Sequence, residues 1–366
     1  LVAAALGLAF AAPVFADSSN VTLYGRIHQA LDHQSTEAGG VDRGGNFAVE
    51  DVSSRLGVRG VEDLGGGLSA IFAYEFGVNT DEVASGQVNA AGTSSNNALN
   101  TRHAYVGLKG AYGLFVIGSQ DGGNDSQAPL YNQASLIGSV SNNGGPLTTV
   151  GSSVDGIGQA ITRDQRVGNS FGYAGNFGGV QINARHALDG TNDRANNSAT
   201  AVKENDIRST EIAATYKVGA LTIGGGLQSF DAQQVTQNAL DVSSDIERVV
   251  QAVASYNFGT FTLGGLVAQK SLYSAAANGE DSDTEFALSA TLPLSANSGV
   301  FGMYADSERN DLVAASDVTQ AQVAYYYDFS KRTRTYVGYN RLNTEVKNSG
   351  GETDQDNFTI GLRHNF

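Results

Sequence analysis

Four arginines occupy positions at which charge could act on a passing solute. Arg26 lies near the start of the chain, Arg55 and Arg59 share one segment, and Arg363 lies close to the end. In an extended strand, residues of one parity share a face, and these arginines have the parity of the polar faces. Cations on one wall of a water-filled passage, opposed by acids across a narrow gap, would sort solutes by size and charge. We call Arg26, Arg55, Arg59 and Arg363 the arginine wall.

The other motifs that could carry chemistry are weak. The five histidines lack metal-ligand spacing, and we interpret His28 and His103 as residues that face the same aqueous space. The glycine triplets at 65–67 and 224–226 do not lead a strand into a helix with the lysine of a phosphate loop, so we expect close strand packing or turn geometry there. His28 near acids is the one faint candidate for a nucleophile and base pair. We therefore expect no enzyme, no metal and no cofactor.

The arginines belong to segments of about ten residues in which polar and apolar residues alternate. The connections between these segments alternate between short glycine-rich turns and longer polar loops, through to the end of the chain. Tight turns on one side and long loops on the other are typical of an antiparallel transmembrane β-barrel, and we count about sixteen segments. The sequence therefore predicts an all-β fold, with short periplasmic turns and long external loops.

The last segment shows the alternation most clearly. Phe358, Ile360 and Leu362 share one face, while Thr359 and Arg363 share the other. In a barrel the apolar face meets hydrocarbon, and we expect the enclosed face to be hydrated and charged. A soluble β-sandwich also alternates, but its apolar face turns towards a core. The aromatic residues beside short turns favour the membrane barrel because they would form a girdle at one interface, and they are Tyr112, Phe177, Tyr216, Tyr256, Phe258, Phe329 and Phe366.

The start of the chain has the pattern of an export signal. Leu1 to Ala12 is almost entirely apolar, and Pro13 to Ala16 precedes Asp17 in the manner of a cleavage site. The run is shorter than the roughly 20 residues that a membrane-spanning helix needs. We predict a signal peptide over 1–16 with an incomplete basic region, so that the sequence begins within its precursor, and one barrel domain over 17–366.

Composition excludes several classes of function. The chain has no cysteine, so disulfides cannot hold it together, and 22 basic against 37 acidic residues give a formal net charge of −15. This charge argues against nucleic acid as a partner. It also predicts a modest preference for cations in any channel, although the arginine wall argues for the opposite.

Several segments resemble a known family. The segment 53–68, which includes Ser54-Arg55-Leu56-Gly57, the segment 166–173 and the segment 327–333, which contains Ser330-Lys331-Arg332-Thr333, carry the likeness, with 21–25 and 361–366 at the two ends. They resemble the general porins of Gram-negative bacteria, specifically the trimeric sixteen-stranded type of the β-proteobacteria. One departure is Gly118-Ser119-Gln120, where that family usually has an arginine.

The resemblance implies a function and several partners. It implies an outer-membrane channel, assembled as a homotrimer in lipid, through which small hydrophilic solutes and ions diffuse passively. It implies that the third long loop, at 121–165, folds into the lumen, where Asp121, Asp125 and Asp155 are the candidates to face the arginine wall. It also implies that the terminal Phe366 is similar to the signal that the barrel-assembly machinery reads.

Two alternatives from other classes remain open at this point. Long outer loops would also suit an adhesin or a structural surface barrel without an open pore. An outer-membrane enzyme is the weaker alternative, because it would need a nucleophile beside a histidine on neighbouring strands.

Overall fold

A computed structural model describes most of the chain. The described residues are 20–78, 80, 99–121, 129–137, 166–188, 207–232, 246–272, 282–310, 315–347 and 349–366. The predicted signal peptide at 1–16 lies outside them. The strands are β1 (Asn20–Ala38), β2 (Val41–Asp51), β3 (Arg55–Gly65), β4 (Leu68–Val78), β5 (Leu99–Gly110), β6 (Gly113–Asp121), β7 (Arg166–Phe177), β8 (Val180–Ala187), β9 (Ile207–Val218), β10 (Leu221–Ala232), β11 (Ile246–Asn257), β12 (Thr262–Leu272), β13 (Ser282–Pro293), β14 (Ser298–Arg309), β15 (Ser316–Asp328), β16 (Thr333–Val346) and β17 (Gly351–Asn365).

Helical structure in the described residues is confined to one short segment. It consists of helix α1 (Pro129–Ala134) and a 3-10 turn (Ser135–Ile137). Within the described ranges, no helix has the length and apolar character needed to cross a membrane.

The strands form one closed antiparallel sheet with sixteen positions, because β2 and β3 occupy a single position. The first part of β1, residues 20–26, pairs with β3, with Arg26 opposite Arg55. The later part, residues 29–38, pairs with β2, with Gln29 opposite Asp51. One extra residue on the β2–β3 side makes a bulge, where Ser53 has a positive φ of 68°. The predicted sixteen-stranded barrel is therefore confirmed, with a bulge in its second strand that splits it into two elements.

The barrel closes where its first and last strands meet. β1 pairs with β17 along thirteen residue pairs, from Arg26 opposite Asn365 to Ala38 opposite Thr353. Phe366 adds two backbone hydrogen bonds to Gly25, at 3.0 and 3.1 Å. A Cβ on Gly25 would lie 2.3 Å from the Phe366 ring, so the ring can rest there only on a glycine.

The outer surface of the barrel is apolar, as the alternation predicted. Phe72, Leu288 and Ile360 point away from the enclosed space and are 40%, 53% and 47% exposed. All seven aromatic residues beside the short turns and the C-terminus are also exposed. No water could satisfy the strand backbone inside a hydrocarbon layer, so a closed sheet is the form in which strands can cross it.

Helix α1 and the 3-10 turn, which we call the inward segment, fill part of the barrel. α1 contacts β8, β9, β10 and β11, and the 3-10 turn contacts β11, β12 and β13. Leu130 of α1 is fully buried. In its described part, the third long loop therefore folds into the lumen, as the resemblance implied.

Candidate functional site

The four residues of the arginine wall lie on three adjacent strands. Arg26 on β1 stands opposite Arg55 on β3, and Arg363 on β17 stands opposite His28, the next inward residue of β1. Arg26 and Arg363 are buried on the inner face, Arg55 is partly buried, and Arg59 is exposed. The sequence analysis therefore placed these side chains correctly relative to one another, because strand parity and barrel closure together determine their positions.

Two of these arginines have well-defined contacts. The Nε of Arg26 donates a hydrogen bond of 2.8 Å to Oδ1 of Asn365, across the seam of the barrel. The guanidinium carbon of Arg59 lies 5.1 Å from the centre of the Tyr24 ring, within the range of a cation–π interaction. Tyr24 can lie flat here because Gly57 faces it, and a Cβ on Gly57 would lie 2.5 Å from the ring.

An acid and a further arginine join this group, and the sequence analysis missed both. The Nε of Arg102 donates a 2.7 Å hydrogen bond to Oε1 of Glu75. Arg55 and His103 approach the same oxygen at 3.8 and 3.9 Å. Glu75 is therefore a counter-charge for Arg55 and Arg102.

A bulge in β5 explains why Arg102 was missed. Glu75 on β4 stands opposite His103, whereas the next residue, Phe76, stands opposite Thr101. Arg102 is the extra residue, and both Arg102 and His103 are buried. Strict alternation would send two neighbours to opposite faces, and nothing in the local sequence marks the exception.

The arginine wall borders a recess of about 250 Å³. Its lining includes Arg26, Arg55 and Arg59, with Glu75, Tyr24 and Tyr105 beside them. Cations thus outnumber acids around this recess. The arrangement can hold and orient a small anion, and water in the recess screens the repulsion between the guanidinium groups.

A further arginine, which the sequence analysis also missed, lies beside Arg363 on the neighbouring strand. Arg334 on β16 stands opposite Arg363. Its Nε and Nη2 donate to the two carboxylate oxygens of Asp328, at 2.7 and 2.8 Å, and its guanidinium lies 4.2 Å from the ring centre of Tyr326. The bidentate pair fixes Arg334 near the short turn between β15 and β16.

The opposite wall of the barrel has a different character. β10 lies eight positions from β1 in either direction around the sheet. Here buried apolar residues on the inner face of β9 to β16 form a cluster, and Leu130 and Ala134 pack against it. Charged and polar residues such as Arg185, Glu211 and Gln251 remain on the enclosed face of this half. The apolar cluster lies beside them, because a loop that folds inward needs an apolar surface to bury its own apolar side chains. We call the small and apolar residues that face the inward segment the docking wall. They are Ala213, Gly224, Gly226, Val249, Val253 and Leu266.

Two glycines of the triplet at 224–226, Gly224 and Gly226, form part of the docking wall. A Cβ on Gly226 would lie 2.8 Å from Cδ1 of Leu130, and one on Gly224 would lie 2.8 Å from Nε2 of Gln133. That nitrogen donates a 2.8 Å hydrogen bond to the carbonyl oxygen of Ala214. The predicted close packing is present, but it is packing of the inward loop onto the strands.

The predicted loop acids are only partly described. Asp121 ends β6, where its backbone stands opposite Arg166. Asp125 and Asp155 lie outside the described residues. Among the residues that the structure describes, no group of three or more histidines and acids is placed to hold a metal ion.

Comparison with known proteins places this geometry in a family. Residues 2–349 match the family model described as Gram-negative porin. The chain is 25% identical over 382 residues to the major outer membrane protein P.IB of Neisseria meningitidis, covering 99% of this chain and 98% of that one.

Solved structures share the fold. An anion-selective porin from Comamonas acidovorans matches with a TM-score of 0.70 and 24% identity, covering 95% of this chain and 100% of that one. The trimer form of OmpT, an outer membrane protein of Vibrio cholerae, matches with a TM-score of 0.60 and 17% identity, covering 96% and 100%.

Proposed function

Because the chain belongs to the Gram-negative porin family, and is therefore an outer-membrane channel for passive diffusion and not an enzyme, we propose that its conducting path runs along the arginine wall. The observation that carries this proposal is the position of the inward segment. α1 is buried against β8 to β11, on the far side of the barrel from β17, β1 and β3. Among the described residues, a recess is lined by Arg26, Arg55 and Arg59.

We further propose that this path favours small anions. Charges act on a solute over about 8 Å at physiological ionic strength, so the groups that line the path outweigh the net charge of the whole chain. Five arginines, at 26, 55, 59, 102 and 363, lie in this part of the barrel, and Arg55 and Arg102 contact the acid Glu75. This proposal reverses the cation preference expected from the net charge of −15.

The loop acids keep a part in the proposal. Asp121, Asp125 and Asp155 would face the arginines across the narrowest point and produce a transverse field. Such a field favours solutes whose positive and negative groups can align with it. The acids would moderate the anion preference without cancelling it, since the arginines outnumber them.

A bilayer recording tests the selectivity. In a potassium chloride gradient the reversal potential should indicate chloride preference, and the double variant Arg55→Gln and Arg59→Gln should move it towards potassium. The matched control is Arg341→Gln, since Arg341 lies on the outer face, where it pairs with Asp354 at 3.0 Å. A reversal potential that indicates cation preference in the unaltered protein would reject the proposal.

Assembly and processing complete the proposal. We infer a homotrimer embedded in outer-membrane lipid, formed after removal of 1–16, with 17–366 as one barrel domain. The trimer form of the Vibrio cholerae protein supports this inference at the level of fold. Chemical cross-linking of the native protein should give a trimer band, and a monomer alone would contradict the trimer.

Phe366 is proposed as the signal for the barrel-assembly machinery. Its ring rests on Gly25 and its backbone closes the seam, so a substitution could act on assembly or on stability. Phe366→Ala should reduce the amount of folded protein in the membrane, while the same variant refolded in detergent should still form a barrel. A refolding defect as large as the defect in cells would assign Phe366 to stability alone.

A further inference from the structure

A buried ion pair lies beneath the inward segment and joins it to the barrel wall. Arg185 on β8 stands opposite Glu211 on β9, and its Nη2 lies 2.5 Å from Oε2 of Glu211. Both side chains are 1% exposed. The second carboxylate oxygen, Oε1, accepts a 2.6 Å hydrogen bond from the backbone N–H of Leu130. One carboxylate thus connects a strand arginine to the backbone of the third long loop, which we call the pore loop.

Two glutamine side chains add to this connection. Nε2 of Gln251 on β11 donates a 2.9 Å hydrogen bond to the carbonyl oxygen of Leu130. Gln133 of α1 reaches back to the β9–β10 pair through the carbonyl oxygens of Ala214 and Gly225, at 2.8 and 3.1 Å. Both backbone groups of Leu130 are therefore held by side chains of the wall, while its own side chain is buried on Gly226.

We propose that Glu211 is a positioning residue for the pore loop: its carboxylate, oriented by Arg185, fixes α1 against the docking wall and so sets the width of the conducting path. This inference rests on the proposed path along the arginine wall. A short helix cannot hold its own position, and the apolar contacts of Leu130 and Ala134 are not directional. The hydrogen bond to an ionised acceptor is both strong and directional.

A second buried acid in the same barrel provides a matched control. Asp283 on β13 pairs with Lys270 on β12, and its Oδ1 accepts a 2.7 Å hydrogen bond from the backbone N–H of Asn310. It has the same two kinds of partner as Glu211, a buried cation and a backbone N–H. The difference is that Asn310 lies at the end of β14, whereas Leu130 lies in the pore loop.

The experiment compares Glu211→Gln with Asp283→Asn in single-channel recordings across a planar lipid bilayer. An amide cannot pair with Arg185 as a carboxylate does, so α1 should leave the wall more often. Closing events in Glu211→Gln should be about ten times as frequent as in the unaltered protein, the factor expected for loss of a charged hydrogen bond. Asp283→Asn should close at the unaltered frequency. Equal closing frequencies in the two variants would overturn the proposal.

Two further measurements keep the result interpretable. Heat-modifiable migration on a gel shows whether Glu211→Gln forms a barrel. If it does not, Gln251→Leu removes the hydrogen bond to the Leu130 carbonyl and keeps the Glu211 carboxylate. We then expect a smaller rise in closing frequency; no rise would reject the positioning role. The reversal potential of Glu211→Gln should stay close to that of the unaltered protein, because the arginine wall is intact. A failure of the proposed selectivity would therefore appear in the reversal potential, and a failure of this proposal in the closing frequency.

Discussion

The arginine wall and the docking wall have the same strand geometry but different surroundings. The arginine wall borders an open recess, and the docking wall packs against the inward segment. On β17, β1 and β3 the inward positions carry arginines beside water. On β9 to β12 they include glycine, alanine, valine and leucine beneath a folded segment, with Glu211 and Gln251 bonded to that segment. The two sets of residues could not be exchanged. Arginines without acidic partners would be costly to bury under α1, and an apolar surface could not attract a charged solute.

The difference shows that the lumen of this barrel is not a uniform surface. The described part of the loop, α1 and the 3-10 turn, packs against β8 to β13. Under the proposed function, the choice of inward residues determines where the path runs.

The largest effect should follow the loss of the acid in the arginine group. Glu75→Gln removes the carboxylate that Arg102 contacts at 2.7 Å, and both side chains are nearly buried. Removing one partner of a buried ion pair costs about 3 kcal/mol. Urea titration of the refolded barrel should therefore show lower stability than for the unaltered protein. Glu345→Gln, at an exposed position of β16, is the control and should change stability little; equal losses would show that Glu75 has no special role.

Overpacking the docking wall should give the next largest effect. Gly226→Val would place atoms where Cδ1 of Leu130 lies, at a cost of about 1–3 kcal/mol. The loop should be pushed towards the arginine wall, and single-channel conductance should fall. Gly225→Val tests the same strand from its other face, where a Cβ would meet its nearest neighbour at 3.4 Å. If the two variants conducted equally, the loop would not rest on this wall.

Salt should separate the two walls by a smaller effect. The arginine wall acts through charge, and the screening length falls from about 10 Å at 0.1 M salt to about 3 Å at 1 M. Ion selectivity should therefore weaken at high salt in the unaltered protein. The ratio of the Gly226→Val conductance to the unaltered conductance should not change with salt, since that variant acts by size. Selectivity that was independent of salt would contradict a role for the arginines.

The sequence was sufficient to predict the barrel and to place Arg26, Arg55 and Arg363 on adjacent strands. Alternation in the last segment put Arg363 on the enclosed face, and closure of the sheet brought it beside Arg26. Both follow from a repeat of two residues, which strands obey over most of their length.

The parts that could not be predicted depend on departures from that repeat or on contacts distant in sequence. The bulge at Arg102 and His103 breaks the parity without a local signal. Glu211 and Leu130 are 81 residues apart, and their contact exists only once the loop is inside the barrel. The docking wall was missed because small inward residues on β9 to β12 look like ordinary strand residues until a loop covers them.

Cysteine accessibility tests the central claim most directly, because the chain has no cysteine of its own. Single variants Arg59→Cys on the arginine wall and Leu266→Cys on the docking wall would be exposed, in bilayers, to a charged water-soluble thiol reagent while current is recorded. Leu266 is 2% exposed, whereas Arg59 borders the open recess. We predict a rapid change in current for Arg59→Cys and none for Leu266→Cys. Rapid modification of Leu266→Cys with Arg59→Cys protected would place the path on the other side of the barrel and contradict the account.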